Sequence, residues 1–263
     1  MERLYIIKIG GNIIDQPENL NSFLVDFSQI PEPKILVHGG GKIASEIAKS
    51  LGIQPQMVNG RRITDQEMLE VVLMVYGGLI NKRIVSQLQA LGCNAIGLTG
   101  ADANIIKAHK RQIKEIDFGF VGDITSVNTN SLKMLIDQRL IPVIAPLTHD
   151  LKGNMLNTNA DTIASKIASA LSEKYETNLF YCFDQPGLLL DINRSDSLLK
   201  EVNWTTYSKL KADQVVTRGM IPKMDTAFEA LKAGTNRVKI CHSKDLLYAL
   251  NNEVPIGTEL KLT

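Results

Sequence analysis

Apolar runs of strand length recur along the chain, at 4–9, 35–38, 94–98, 141–145, 179–183 and 238–241. Helical patterns fill most of the intervals, at 18–27, 42–51, 65–91, 131–139, 158–174, 220–233 and 244–250. The runs are rich in Val, Ile and Leu at successive positions, so such strands have no face for water. They belong to a mainly parallel sheet covered by helices on both sides, and the expected class is α/β.

Two of the runs end in glycine and lead into a helical pattern. One reads Ile35-Leu36-Val37-His38-Gly39-Gly40-Gly41-Lys42, the other Tyr5-Ile6-Ile7-Lys8-Ile9-Gly10-Gly11-Asn12. Glycines expose bare N–H groups to close approach, and a helix N-terminus favours negative charge, so these turns suit an anion such as phosphate. Neither turn is a Walker A loop or a dinucleotide G-x-G-x-x-G. On the glycines alone, a tight turn serves equally well.

The polar residues near these turns carry two readings each. Lys8 occupies a strand interior where an unpaired ammonium is disfavoured, so it reaches either a structural carboxylate or an incoming phosphate. Lys223, in Arg218-Gly219-Met220-Ile221-Pro222-Lys223-Met224, opposes the dipole at the start of a helix and either tolerates a small repulsion or faces an anion. Asp161, in Asn157-Thr158-Asn159-Ala160-Asp161, stands at capping-box spacing from Thr158, or else lies between the two lysines. Arg62, in Asn59-Gly60-Arg61-Arg62-Ile63-Thr64, is a surface cation or a bidentate partner for a substrate carboxylate. His38, His109, His149 and His242 have no partner at ligand spacing, and no nucleophile–histidine set assembles.

Charge and cysteines narrow the function classes. Lys plus Arg total 29 against 28 Asp plus Glu, which leaves no electrostatic footprint for nucleic acid. No apolar run approaches the roughly 18–20 residues of a membrane span, and no secretory signal is expected at the N-terminus. Cys93, Cys182 and Cys241 fit neither a disulfide framework nor a zinc site and read as small buried hydrophobes in a reducing cytoplasm. The stretches 56–64, 106–127 and 146–157 are polar with turn glycines and read as hairpins or lids, and 191–204 is similar. A lobe boundary is expected near 175–178, giving an N-terminal lobe of 1–176 and a C-terminal lobe of 177–263 that share one sheet. The longest helix opens with the capping-box pattern Thr64-Asp65-Gln66-Glu67 and is apolar nearly all round from 68 to 80, apart from Glu70. Such a helix lies in the core or at a subunit interface, which makes a homodimer an expectation.

Read together and in order, Lys8-Ile9-Gly10-Gly11, His38-Gly39-Gly40-Gly41, Asn59-Gly60-Arg61-Arg62-Ile63-Thr64, Asn157-Thr158-Asn159-Ala160-Asp161 and Gly219-Met220-Ile221-Pro222-Lys223 resemble the motifs of the amino-acid kinase family, over essentially the whole chain. Within that family the likeness is to the members that act on acylated glutamate. The resemblance implies a three-layer αβα sandwich with a mainly parallel central sheet. It implies ATP-dependent phosphorylation of the γ-carboxylate of N-acetyl-L-glutamate, a step of arginine biosynthesis. Lys8 and Lys223 would stabilise the transferring phosphoryl group, with Asp161 positioning both. Gly10, Gly11 and Gly40 would donate N–H groups to phosphate oxygens. Gly40, Gly41, Arg62 and Asn157 would contact the acceptor, while Asp184, Gly187, Leu189, Gly219 and Met220 would contact ATP. Mg²⁺ would ride on the nucleotide with no protein ligand.

The chain departs from the family pattern in places. Phe183 and Gln185-Pro186 alter the nucleotide turn, and the loop Gly97-Leu98-Thr99-Gly100-Ala101-Asp102 has its own wording. Arg61 replaces a usually apolar residue, which keeps N-succinyl-L-glutamate open as the acceptor. Sister kinases of carbamate, aspartate or UMP are further alternatives, as is an inactive ligand-sensing relative, against which intact Lys8, Asp161 and Lys223 argue. Arginine-inhibited members carry an additional N-terminal helix. This chain starts at the first strand, so the expectation is a dimer without that feedback.

Overall fold

The computed structural model describes residues 1–263 except 59, 114, 192, 217–219 and 252–254. Its central strand, β1 (Arg3–Ile9), is buried from Leu4 onward. Side chains alternate across a strand, and here both sides are core: Tyr5, Ile7 and Ile9 join one apolar cluster, Leu4 and Ile6 the other. Lys8 shares the parity of Leu4 and Ile6 and points into the second layer, which decides what it can reach.

Seven more strands complete the main sheet: β2 (Lys34–His38), β3 (Ala95–Leu98), β4 (Ile141–Ile144), β5 (Glu176–Phe183), β6 (Glu201–Asn203), β7 (Arg237–His242) and β8 (Thr258–Lys261). Their order is β6-β8-β7-β5-β1-β2-β4-β3. Six run parallel from β7 to β3, while β8 is antiparallel to β7 and β6 parallel to β8. Short helix α1 (Gly11–Asp15), α2 (Pro17–Ser28), α3 (Gly41–Ser50), α4 (Gln66–Val72) and α5 (Asn81–Ala90) cover one face. On the other lie α6 (Thr129–Asp137), α7 (Ala160–Leu171), α8 (Trp204–Ala212) and α9 (Ile221–Lys232). The last helix, α10 (Leu246–Leu250), returns to the first face. This is the three-layer α/β architecture the strand pattern implies.

Residues 106–127 and 146–157 supply a second, four-stranded sheet: Met155–Asn157, Leu147–His149, Ile106–Lys110 and Gly122–Val127, in that order. Two hairpins stand beside the sheets, Met57–Val58 with Arg61–Arg62 and Leu188–Leu189 with Leu198–Leu199. Among the described residues no helix is long and apolar enough to cross a membrane.

Several local expectations are corrected. α7 is capped by Asn159, whose side chain accepts from Thr162 N at 3.0 Å; Thr158 is buried against Thr148 instead. Asp65 rather than Thr64 caps α4, accepting from Met68 N at 2.8 Å. The long helix is continuous in sequence but not in pitch, because Leu73–Ile80 between α4 and α5 is π-helical. On this segment Met74 and Leu79 are 57% and 40% exposed. Strands β6 and β8 and helices α1 and α8 are additions to the expected elements.

Candidate active site

At the carboxyl ends of β1 and β2 both chains turn through glycine into helices. Gly10 precedes α1 and Gly40 precedes α3 as N-cap residues. Gly40 has φ +145°, a conformation that side chains disfavour, and a Cβ there would strike Ile80 and the Tyr76 ring. The first N–H groups of α3 have no acceptor within the helix and point to the sheet end. The Gly10 N–H donates to Cys182 O at 3.1 Å, which ties this turn to β5.

Asp161 is the centre of charge. It lies in the first turn of α7, whose backbone is held by Tyr181 of β5 donating its hydroxyl to Asp161 O at 3.1 Å. One carboxylate oxygen lies 2.7 Å from Lys8 Nζ and the other 2.9 Å from Lys223 Nζ. Lys223 arrives on the first turn of α9, which packs along α7; Ser165 Oγ donating to Thr226 O at 3.0 Å ties the two helices. Burial alone would raise the Asp161 carboxyl, but the two ammonium charges outweigh it and hold it far below the usual carboxylate range. Burial lowers Lys8 to about 8; the attraction of Asp161 partly offsets this, and the charge of Lys223 adds to it. Lys223 is less deeply placed, and there the pull of Asp161 overcomes burial and raises it.

A buried lysine need not imply a ligand, and Lys34 provides the contrast. Its ammonium is satisfied by main-chain carbonyls at the end of α2, Phe27 O at 2.9 Å and Ile30 O at 2.7 Å. Lys8 and Lys223 instead share one carboxylate, so two positive charges face a single negative one. That surplus is what a phosphoryl group would meet.

The other expected residues fall on either side of this centre. Arg62 comes from the hairpin before α4 and is buried; its Nη2 donates to Gly41 O and Ser45 Oγ, each at 2.7 Å. Asn157, at the end of the second sheet, donates to Thr64 Oγ1 at 3.0 Å, joining the sheet to the Arg62 hairpin. Arg61 is exposed on the same hairpin. At the end of β5, Asp184 accepts from Asn12, and its charge acts on Lys223. Gly187 and Leu188 follow, with Leu188 N donating to Thr258 Oγ1 at 2.8 Å, which fixes the Leu188–Leu189 hairpin to β8. Met220 is the N-cap of α9. Gly219 lies outside the described residues, as do Asn59 and Arg218 of the quoted motifs.

Reasoning from the sequence missed one polar chain. His38 is fully buried, and burial lowers its pKa to about 4, so its imidazole is neutral at working pH. Nδ1 lies 2.8 Å from Gly39 O, and Asn81 Nδ2 lies 3.2 Å from Nε2 and 2.9 Å from Val143 O. An Nδ1–H tautomer satisfies all three contacts, donating to Gly39 and accepting from Asn81. The glycine turn is thus anchored through His38 to α5. No sequence signal links His38 to a residue on a helix 43 positions away.

The carboxylate at this centre is already engaged by cations. Both Asp161 oxygens face ammonium groups, and among the described residues no three His, Cys, Asp or Glu side chains gather as a metal site. Nucleotide phosphates fit better as the principal ligands of any cation here.

A model of the amino acid kinase family matches residues 3–242. An acetylglutamate kinase of Cytophaga hutchinsonii is 56% identical over 261 residues, 99% of each chain. One of Parabacteroides distasonis is 50% identical over 246 residues, 94% of this chain and 96% of that one. Among solved structures, N-acetylglutamate synthase of Neisseria gonorrhoeae, complexed with coenzyme A and N-acetyl-glutamate, superposes with a TM-score of 0.84 at 22% identity. The match covers 99% of this chain and 59% of that longer one.

Proposed function

The chain belongs to the amino acid kinase family, and on that premise we propose that it transfers the γ-phosphoryl group of ATP to the γ-carboxylate of N-acetyl-L-glutamate, a step of arginine biosynthesis. The observation that carries this reading is the Lys8–Asp161–Lys223 cluster beside two glycine turns, within a chain half or more identical to acetylglutamate kinases over nearly its full length.

The acceptor carboxylate is already ionised at neutral pH, so no general base is needed. The barrier lies in bringing anions together and stabilising charge on the transferring phosphoryl oxygens. Lys8 and Lys223 meet that charge together, both positioned by Asp161. The N–H groups at the start of α3, with Gly40 leaving space, receive the phosphoryl oxygens beside the acceptor. Arg62 takes a carboxylate of the acylated glutamate, and Asn157 closes the same pocket. Asp184, Gly187, Leu189, Gly219 and Met220 border the nucleotide. When bound with ATP, Mg²⁺ supplies neutralisation of the phosphate charge; we assign it no protein ligand.

Two coarser expectations complete the picture. The enzyme acts in the cytoplasm on small molecules, and it pairs as a homodimer through the long helix, whose exposed Met74 and Leu79 form an apolar strip. The exposed Arg61 beside Arg62 favours a second acceptor, N-succinyl-L-glutamate, whose extra carboxylate it can meet. Trapping the acyl phosphate with hydroxylamine, using each acceptor with ATP, decides between them; transfer to neither, with transfer to carbamate, aspartate or UMP, would replace the reading with a sister kinase. ATP binding without transfer to any acceptor would identify a ligand sensor.

A further inference from the structure

The π-helical segment Leu73–Ile80 is placed where it affects the glycine turn. A π-helical turn is wider than an α-helical one, and such segments recur at functional sites. Here Tyr76 and Ile80 both lean on Gly40: a Cβ on that glycine would collide with Ile80 Cδ1 and come within 3.3 Å of Tyr76 Cδ1. One residue on, a Cβ on Gly41 would lie 3.9 Å from the Tyr76 hydroxyl and 3.7 Å from Arg62 Nη2. A phenol from one element and a guanidinium from another therefore converge on the first residue of α3.

Their chemistry is complementary. Tyr76 is buried, and burial raises its pKa against the opposing charge and hydrogen bond of Arg62, so the phenol keeps its proton at working pH. Arg62 can only donate, which leaves the phenolic hydrogen for an acceptor of another kind. Arg62 is itself braced on Gly41 O and Ser45 Oγ, so the pair is set in place before any ligand arrives.

We propose that the Tyr76 hydroxyl is a further substrate-binding group, donating to the same carboxylate of the acylated glutamate that Arg62 holds. The inference rests on the reading of Arg62 given above. It makes Tyr76 a determinant of acceptor recognition, separate from the phosphoryl cluster.

Tyr76→Phe removes the oxygen and keeps the ring against Gly40. Steady-state kinetics of the wild type and this variant, with N-acetyl-L-glutamate and ATP each varied, should show the acceptor KM raised about tenfold to a hundredfold, the range for one hydrogen bond to a charged group. The KM for ATP, kcat at saturation and thermal midpoint should hold. An unchanged acceptor KM, or equal rises in both KM values, would reduce Tyr76 to a packing residue and overturn the proposal. A wild type inert toward N-acetyl-L-glutamate and N-succinyl-L-glutamate alike would instead sink the acceptor reading, and this inference with it.

Discussion

Lys8 carries a charge in a place that favours losing it, and the proposed phosphoryl transfer depends on keeping it. Removing either Lys8 or Lys223 leaves the transferring phosphoryl group with half its cationic support. Lys8→Ala and Lys223→Ala should each lower kcat by about a hundredfold to a thousandfold, with circular dichroism unchanged. The depressed pKa of Lys8, about 8, sets a sign for pH dependence. The protonated form is the active one, so kcat/KM should fall as pH rises through that value. Bound phosphate favours the charged lysine, so the fall in kcat should lie at higher pH. Lys8→Arg should retain charge and lose this alkaline limb; an unaltered limb in that variant would assign it to another group. The Asp161 carboxyl is also displaced downward, which for an acid means that it stays ionised across the working range. Lys8 as a strand-interior cation was legible in the sequence, and so was the glycine pair behind it. That Asp161 lies between Lys8 and Lys223 was not, because first-turn spacing permits an ordinary helix cap equally well. Only the order of motifs chose between those readings.

At the scale of elements, α7 is the part that joins sheet, cluster and α9. Its cap lies two residues from Asp161, so Asn159→Ala should destabilise the protein by about 1 kcal/mol in denaturant titration. Asp161→Asn should cost more, roughly 3 kcal/mol or above, because it leaves the buried Lys8 and the half-buried Lys223 without a counter-charge. If Asp161→Asn proved as stable as the wild type, the lysines would not be paired as described. The strands with two buried faces were legible since hydrophobic runs of their length have few other uses. Strands β6 and β8 were not, being short and half polar: Glu201-Val202-Asn203 and Thr258-Glu259-Leu260-Lys261 look like loop until a neighbouring strand pairs with them. The π-helical pitch of Leu73–Ile80 has no signature in an apolar sequence. His38 and Asn81 were hidden for a related reason, since a buried polar pair is defined by a partner distant in sequence.

For the whole molecule, the residues proposed to hold acceptor, phosphoryl group and nucleotide come from different connections of the fold. Arg62→Ala should therefore raise KM for the acceptor and leave KM for ATP near its original value; the reverse pattern would move the acceptor pocket elsewhere. The exposed apolar strip of the long helix belongs to the same scale. A Met74→Asp/Leu79→Asp variant should sediment as a monomer where the parent sediments as a dimer, and an unchanged sedimentation coefficient would place the interface on another face. The claim on which all of this rests is transfer from ATP to the γ-carboxylate of an acylated glutamate by the Lys8–Asp161–Lys223 cluster. The most direct test is ATP-dependent acyl-phosphate formation from N-acetyl-L-glutamate, trapped with hydroxylamine, in the wild type and in Lys8→Ala. The account predicts robust hydroxamate from the first and a loss of at least about a hundredfold in the second; comparable yields from both would contradict it.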